Sequence, residues 1–144
     1  MSFAIDANIL LHAANASCQE NARAVRFLEQ CARRGELMCL AWPTVMAFLR
    51  ISTHPGIFPR PLSWKQASGY IDSLLALPHA RVLTEQEGFW SLFHELADVL
   101  RPRGNLLPDV HLAAMLKQNG VLTLYTHDRD FRRFDFLEIR SLPE

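Results

Sequence analysis

The side chains best suited to chemistry in this sequence are three aspartates that lie at the ends of apolar segments. Asp6 follows an apolar run at residues 3–5, Asp128 follows another at residues 121–125, and Asp109 opens a segment with apolar residues at helical spacing. Ligands of open α/β sheets bind beyond the carboxyl ends of the strands, so we expect these side chains at one rim. A lone aspartate there is more often a helix cap or a turn residue. Three carboxylates from separate elements indicate a shared site instead.

Asp109 is the least ordinary of the three. It shares a helical face with Leu112, Ala113 and Leu116, at i+3, i+4 and i+7. Because that apolar face has to be buried, we expect Asp109 to point toward the sheet from the first turn of its helix. A carboxylate can stabilise a helix N-terminus, but one that turns inward also requires a partner.

Clustered carboxylates repel each other. Two unit charges about 4 Å apart cost roughly 4 kcal/mol at an effective dielectric near 20. Either one of them is protonated or a cation lies between them. All-oxygen ligands suit Mg²⁺ or Mn²⁺, and no Cys/His set with zinc spacing is present. Such a site typically hydrolyses phosphodiesters through a metal-activated water.

The elements that must position these residues alternate between helix and strand. The patterns predict helices over residues 20–34, 43–51, 64–77, 84–100 and 109–119, and strands over 3–5, 37–41, 81–83, 121–125 and 136–141. Ser63 and a capping box at residues 84–87 mark two helix starts, and residues 9–11 are interpreted as an apolar turn. This alternation predicts a three-layer α/β/α fold with a mostly parallel sheet of four to five strands, in a single domain over residues 1–144.

Composition limits the class of protein. Hydrophobic residues make up 49% and charged residues 21%, and no apolar run has the length of a membrane span. We therefore expect a soluble, cytoplasmic protein without membrane association. Formal net charge is +0, so bulk charge does not indicate a nucleic-acid partner. Arginine nevertheless recurs near the predicted acids, and its planar fork suits phosphate. The candidate phosphate-binding residues are Arg50, Arg101, Arg103 and Arg129.

Five motifs together resemble one known family. They are D-A-N-I-L-L at 6–11, W-P-T-V-M-A-F-L-R at 42–50, S-T-H-P at 52–55, N-L-L-P-D-V-H-L-A-A at 105–114 and T-H-D-R-D-F at 126–131. In this order and over this length, the chain resembles the PIN-domain ribonuclease toxins of the VapC type. The resemblance implies a PIN-like α/β/α sandwich and a Mg²⁺- or Mn²⁺-dependent endoribonuclease. It also implies a toxin of a type II toxin–antitoxin system, inhibited by a VapB-type antitoxin and usually a homodimer.

The resemblance also assigns roles to individual residues. The family's metal-binding, catalytic aspartates fall on Asp6, Asp109 and Asp128. Asn8 and Thr126 match supporting polar positions, and Asp130 is an additional acid with a supporting role.

Phe48 departs from the family pattern. PIN toxins commonly carry a glutamate in the helix after the second strand, and Phe48 stands at that position. Either the site uses three carboxylates, or another acid substitutes, or catalysis has been lost. The last case would leave a PIN-like RNA- or protein-binding module. A structure-specific DNA nuclease is the third hypothesis, although no additional segment is available to clamp DNA.

An apolar groove is the expected docking place for an antitoxin segment. The predicted helices 20–34 and 64–77 would form it, with Ile57 and Phe58 in the loop nearby. Core packing is the alternative use of these residues.

Overall fold

A five-stranded parallel sheet forms the centre of the protein. The computed structural model describes residues 1–144. The strands are β1 (Ser2–Ile5), β2 (Leu37–Ala41), β3 (Ala80–Leu83), β4 (Thr123–Tyr125) and β5 (Glu138–Arg140). Their order is β3-β2-β1-β4-β5, and every neighbouring pair is parallel. The mostly parallel sheet predicted from the sequence is thus confirmed.

The sheet order creates a switch point beside β1. The chain winds from β1 through β2 to β3 on one side and continues with β4 and β5 on the other. Ala4 pairs with Leu124, and Ile5 pairs with Tyr125. The carboxyl ends of β1 and β4 therefore lie side by side, which is where open α/β sheets bind their ligands.

Helices cover both faces of the sheet. They are α1 (Ala7–Ala14), α2 (Asn21–Arg33), α3 (Trp42–Ser52), α4 (Trp64–Leu75), α5 (Phe89–Leu100) and α6 (Leu106–Gln118). One buried cluster packs α1 to α4 against one face, and the other packs α6 and a short 3-10 turn, Arg129–Arg133, against the opposite face. The three-layer architecture is confirmed. None of the helices combines the length and the apolar character needed to cross a membrane.

Helix α1 corrects the prediction of a turn at residues 9–11. The helix begins directly after β1, with Asp6 as its N-cap, and buries Ile9 and Leu10 completely. The short apolar segment is helical because the capping carboxylate satisfies a free N–H at its start and the sheet buries its apolar face.

The predicted capping box at residues 84–87 is also wrong. Helix α5 begins at Phe89, after Gly88 in a left-handed conformation (φ 82°). The Gln86 N–H donates to Gln118 Oε1 at 2.8 Å, and the Gln86 side chain donates to Asn119 Oδ1 at 2.9 Å. These tertiary hydrogen bonds to the end of α6 hold the segment out of the helix. The Ser63 cap does form, as a full capping box with Gln66.

Candidate active site

Asp6 lies at the junction of β1 and α1. Its Oδ1 accepts a hydrogen bond from the Ala7 N–H at 2.8 Å, and its Oδ2 accepts from the Thr126 hydroxyl at 2.7 Å. The Asn8 amide donates to the same Oδ2 at 3.4 Å. Burial raises the pKa of Asp6 despite these donors, and the charge of Asp128 adds to the rise. Both oxygens of Asp6 are therefore engaged in a network at the switch point.

Thr126 joins the ends of the two central strands. Its side chain is buried (3% exposed), and its hydroxyl donates to Asp6. The same oxygen accepts from the Asn8 amide at 3.2 Å and from the Asp128 N–H at 3.0 Å. Asn8 Oδ1 also accepts from the His127 N–H at 3.4 Å. This single hydroxyl fixes Asp6 and the start of the loop that carries Asp128 relative to each other.

Three carboxylates converge beside this network. Oxygens of Asp109, Asp128 and Asp130 all lie within 4.8 Å of one another. Asp109 projects from the first turn of α6, and it is half-buried, as expected for the inward face. Asp128 is the N-cap of the 3-10 turn, where its Oδ1 accepts from the Asp130 N–H at 2.9 Å. Asp130 lies within the turn, one residue after its start.

The pKa of Asp109 is raised from its ordinary value to about 6. Burial is the main cause, and repulsion from Asp128, Asp6 and Asp130 adds to it, while Arg133 opposes the shift. Arg133 also lies 3.8 Å from Asp130 Oδ1. A carboxylate whose charge is this unfavourable is one that a bound cation would stabilise.

Asp6 stands beside the three-carboxylate cluster rather than within it. The cluster joins Asp109 and Asp128 with Asp130, whereas Asp6 reaches Asp128 through the Thr126 hydroxyl. Its charge is nevertheless felt at Asp109, whose pKa it helps to raise. The arrangement thus contains a central group of three acids and a fourth acid one hydrogen-bonded residue away.

Phe48 is part of the hydrophobic core. Its side chain is fully buried (0% exposed), and its ring stacks on Tyr70 with 5.2 Å between centroids. The residue therefore packs α3 against α4. A glutamate could not replace it in this role, because its charge would be buried among apolar side chains.

The four candidate phosphate-binding arginines occupy three different parts of the surface, and only Arg129 lines a cleft together with residues of the site. Arg129 lines a polar cleft with Thr126 and Asp128, together with Arg132. Arg101 and Arg103 lie in a different groove, between the end of α5 and the start of α6. Arg50 is exposed in the last turn of α3.

His12 is a neighbour of the site that the sequence reasoning missed. Its ring lies 4.9 Å from that of His127, centroid to centroid, and burial lowers the pKa of His127. Recognising α1 would have revealed it, since Asn8 and His12 are four residues apart on one helical face.

Two ribonucleases resemble this chain in sequence over nearly its whole length. No protein-family model matches the chain. Ribonuclease VapC48 of Mycobacterium tuberculosis is 36% identical over 141 residues, covering 98% of this chain and 97% of the relative. Ribonuclease VapC43 of the same organism is 35% identical over 136 residues, covering 94% and 92%.

Solved structures show the same fold. VapBC2 from Rickettsia felis, bound to a promoter DNA fragment, matches with a TM-score of 0.72 and 17% identity over 99% of this chain and 100% of that chain. The sarcin-ricin loop cleaving toxin VapC20 of Mycobacterium tuberculosis matches with a TM-score of 0.71 and 17% identity over 96% and 98%. The parallel sheet with acids at its switch point defines a PIN-type domain. The sequence relatives identify the family as well as the fold: the chain belongs to the VapC ribonuclease family.

Proposed function

We propose that this chain is the ribonuclease toxin of a type II toxin–antitoxin system, a single PIN domain that hydrolyses RNA phosphodiester bonds in the cytoplasm. The carboxylate cluster of Asp109, Asp128 and Asp130, joined to Asp6 through Thr126, is the observation that carries the proposal. Membership of the VapC ribonuclease family supports the reaction class.

The donor set fits a hard divalent cation. Asp109, Asp128 and Asp130 offer only oxygens, they are close enough to share one ion, and the raised pKa of Asp109 marks a charge that lacks compensation. We propose Mg²⁺ or Mn²⁺, held by Asp109 and Asp128 with Asp6 and Asp130 beside them. When bound, the ion would supply an activated water and neutralise charge on the phosphate.

The remaining residues of the site position these ligands and the substrate. Thr126 and Asn8 hold Asp6 and the Asp128 loop in register through their hydrogen bonds. Arg129 and Arg132, in the adjoining polar cleft, are placed to bind backbone phosphates of RNA. Phosphate contacts of this kind provide affinity rather than sequence choice.

RNA cleavage with matched variants tests the proposal. We expect EDTA to abolish cleavage of a structured RNA and Mn²⁺ to restore it, and Asp109→Asn and Asp128→Asn to remove the restored activity. Asp72→Asn, which changes an exposed aspartate of α4, is the control and should cleave normally. Cleavage that survives in both active-site variants would assign the activity elsewhere. RNA binding without cleavage in Mn²⁺ would instead support the alternative of a non-catalytic binding module, which the presence of Phe48 at the family's glutamate position leaves open.

A VapB-type antitoxin is the proposed protein partner, in a homodimeric assembly. The structural neighbours include VapBC complexes from Rickettsia felis and from nontypeable Haemophilus influenzae. In this chain an apolar groove is formed by three helices, namely α2, α4 and the C-terminal end of α1. It is lined by Ala13, Val25, Leu28, Ala32, Tyr70, Leu74 and Leu77. We place the antitoxin segment in this groove. Ile57 and Phe58, expected nearby, are not among its lining residues.

Co-purification with the product of an adjacent antitoxin gene tests this placement. Val25 lies in the groove and is 36% exposed, so Val25→Asp should be tolerated by the fold and should weaken the complex. Val99→Asp, on the exposed side of α5, should leave the complex intact. Equal retention of the antitoxin by both variants would place the partner on another surface.

A further inference from the structure

Helix α5 presents aromatic surface to solvent. None of its residues is fully buried, and Trp90 is 70% exposed. The Trp90 ring stacks on Phe93 with 5.8 Å between centroids and 18° between planes, and the His94 ring packs against Trp90 at 74° with 5.7 Å between centroids. A large aromatic face that is exposed to water is suited to stacking with another planar group.

Two unpaired cations share a groove with this aromatic face. Arg101 and Arg103 line it together with Trp90 and Phe93, and neither guanidinium lies within 4 Å of a carboxylate. Asp98 is the only acid in the groove lining, and His94 approaches it at 3.1 Å. The groove therefore combines stacking surface with uncompensated positive charge.

The backbone that carries the two arginines is sharply turned. Arg101 adopts a left-handed conformation (φ 48°), and its N–H donates to the Ala97 carbonyl at 2.7 Å. This conformation ends α5, so that the following residues lead directly into α6.

The groove adjoins the acidic cleft. Leu107 lines the groove, whereas the preceding residue, Leu106, lines the cleft that contains Asp109 and Asp128. The first turn of α6 is thus a shared wall. A strand that crosses this turn passes from the aromatic face to the carboxylates.

We propose that the groove is a subsite for an unpaired segment of the RNA substrate, in which a base stacks on Trp90 while Arg101 and Arg103 bind the backbone. The inference rests on the proposed ribonuclease function. Aromatic platforms flanked by cations bind single strands because every base has a stacking face, whereas base pairing hides that face within a duplex.

A second copy of this chain fits the groove less well. In a two-fold contact the same patch meets itself. Four guanidinium groups of Arg101 and Arg103 would then approach each other, with two copies of Asp98 to neutralise them. A polyanion satisfies the same charges directly.

Binding of fluorescein-labelled RNA in EDTA tests the subsite without cleavage. The probes are a 12-nucleotide single strand of mixed sequence and the corresponding duplex, and the readout is fluorescence anisotropy. We expect Trp90→Ala to weaken single-strand binding about tenfold, the scale of one stacked base. Trp90→Phe should retain most of the affinity, and duplex binding should not change. Trp64→Ala is the matched control, since Trp64 is 69% exposed on α4, and it should bind as the unmodified protein does.

The arginines have a separate signature. Each phosphate contact on a single strand contributes about 0.7 to the slope of log affinity against log salt concentration. The double variant Arg101→Ala/Arg103→Ala should therefore reduce this slope by about 1.4. An unchanged slope would exclude phosphate contacts in the groove.

Two further results would overturn the subsite. One is equal single-strand affinity for the Trp90→Ala and Trp64→Ala variants. The other is a Trp90→Ala variant that loses single-strand and duplex binding equally and forms a smaller species in light scattering. That result would show that the aromatic face is a contact between two copies of the chain. Mn²⁺-dependent cleavage by the unmodified protein tests the ribonuclease function independently. If the unmodified protein cleaves RNA and Trp90→Ala binds single strands normally, only the proposed subsite is refuted. If Trp90→Ala weakens single-strand binding but the unmodified protein does not cleave RNA, only the proposed ribonuclease function is refuted.

Discussion

The three-carboxylate cluster should reduce the stability of the metal-free protein. Asp109, Asp128 and Asp130 place oxygens within 4.8 Å of one another, and Arg133 is the only cation within 4 Å of any of them. Asp109→Asn keeps the size of the side chain and removes one of the three charges. We therefore expect this variant to be more stable than the unmodified protein in EDTA at pH 7.5.

The size of the effect follows from Coulomb's law. Two unit charges about 4.8 Å apart repel by about 3.5 kcal/mol at an effective dielectric of 20 and by about 0.9 kcal/mol in bulk water. Asp109 is half-buried and Asp130 is exposed, so solvent screening favours the lower part of this range. We expect a gain of about 1–2 kcal/mol, which corresponds to about 3–7 °C in Tm for a chain of this length.

The gain should depend on pH in a defined direction. In the folded protein the pKa of Asp109 rises from its ordinary value of 3.8 to about 6. Between these values the folded state binds more protons than the unfolded state, so this group makes stability fall as pH rises. The advantage of Asp109→Asn should therefore be small at about pH 4, grow between pH 4 and pH 6, and be complete above about pH 7.

Thermal unfolding with and without Mn²⁺, at several pH values, measures the stability difference between the two proteins and its pH dependence. Excess Mn²⁺ should stabilise the unmodified protein, by about 2.7 kcal/mol at a concentration of one hundred times its Kd, and Asp109→Asn should gain less. The order of the two proteins should then reverse. Asp72→Asn serves as the control, because its charge lies on an exposed face of α4. A destabilised Asp109→Asn variant in EDTA, or equal gains from Mn²⁺ in both proteins, would refute the assignment of an uncompensated cation site.

Three further changes test the residues around the cluster. Thr126→Val removes the hydroxyl that donates to Asp6 and should weaken Mn²⁺ binding about 10- to 100-fold, the usual effect of losing a supporting hydrogen bond, while Thr126→Ser should restore it in calorimetric titrations. Phe48→Glu should unfold the protein rather than increase activity, because it replaces a ring stacked on Tyr70 with a buried charge and costs at least about 3 kcal/mol. Chemical denaturation measures this loss, and a stable, more active variant would contradict it. Arg129→Ala should reduce the salt slope of RNA binding by about 0.7 in anisotropy titrations, and an unchanged slope would leave Arg129 outside the RNA interface.

The location of the candidate site was predictable from the sequence, because two of its aspartates follow apolar strands. Parallel strands end at one edge, so Asp6 and Asp128 were expected near each other. The inward position of Asp109 followed from its apolar helical face. The sequence does not encode the strand order in a readable pattern, although it is the adjacency of β1 and β4 that brings these residues together.

The position of Asp130 depends on packing that local patterns do not show. The 3-10 turn that carries it is set by the Asp128 cap and by the burial of Phe131 and Phe134 beneath it. Helix α1 was missed for a similar reason, since eight residues are too few for a helical period to be distinguished from an apolar turn. The false capping box shows the opposite case, in which hydrogen bonds from Gln86 to the end of α6 override a local signal.

The combination of Asp6 and Phe48 suggests how this site differs from one with a further glutamate. The apolar ring removes a potential negative charge and adds packing between α3 and α4. Asp6, in turn, stabilises the start of α1 and receives the Thr126 hydroxyl, so its oxygens are already partly satisfied without a metal ion. The uncompensated charge is therefore concentrated on Asp109 and its two neighbours, Asp128 and Asp130. A metal ion that binds there would relieve repulsion without breaking the hydrogen bonds that hold the two strand ends together.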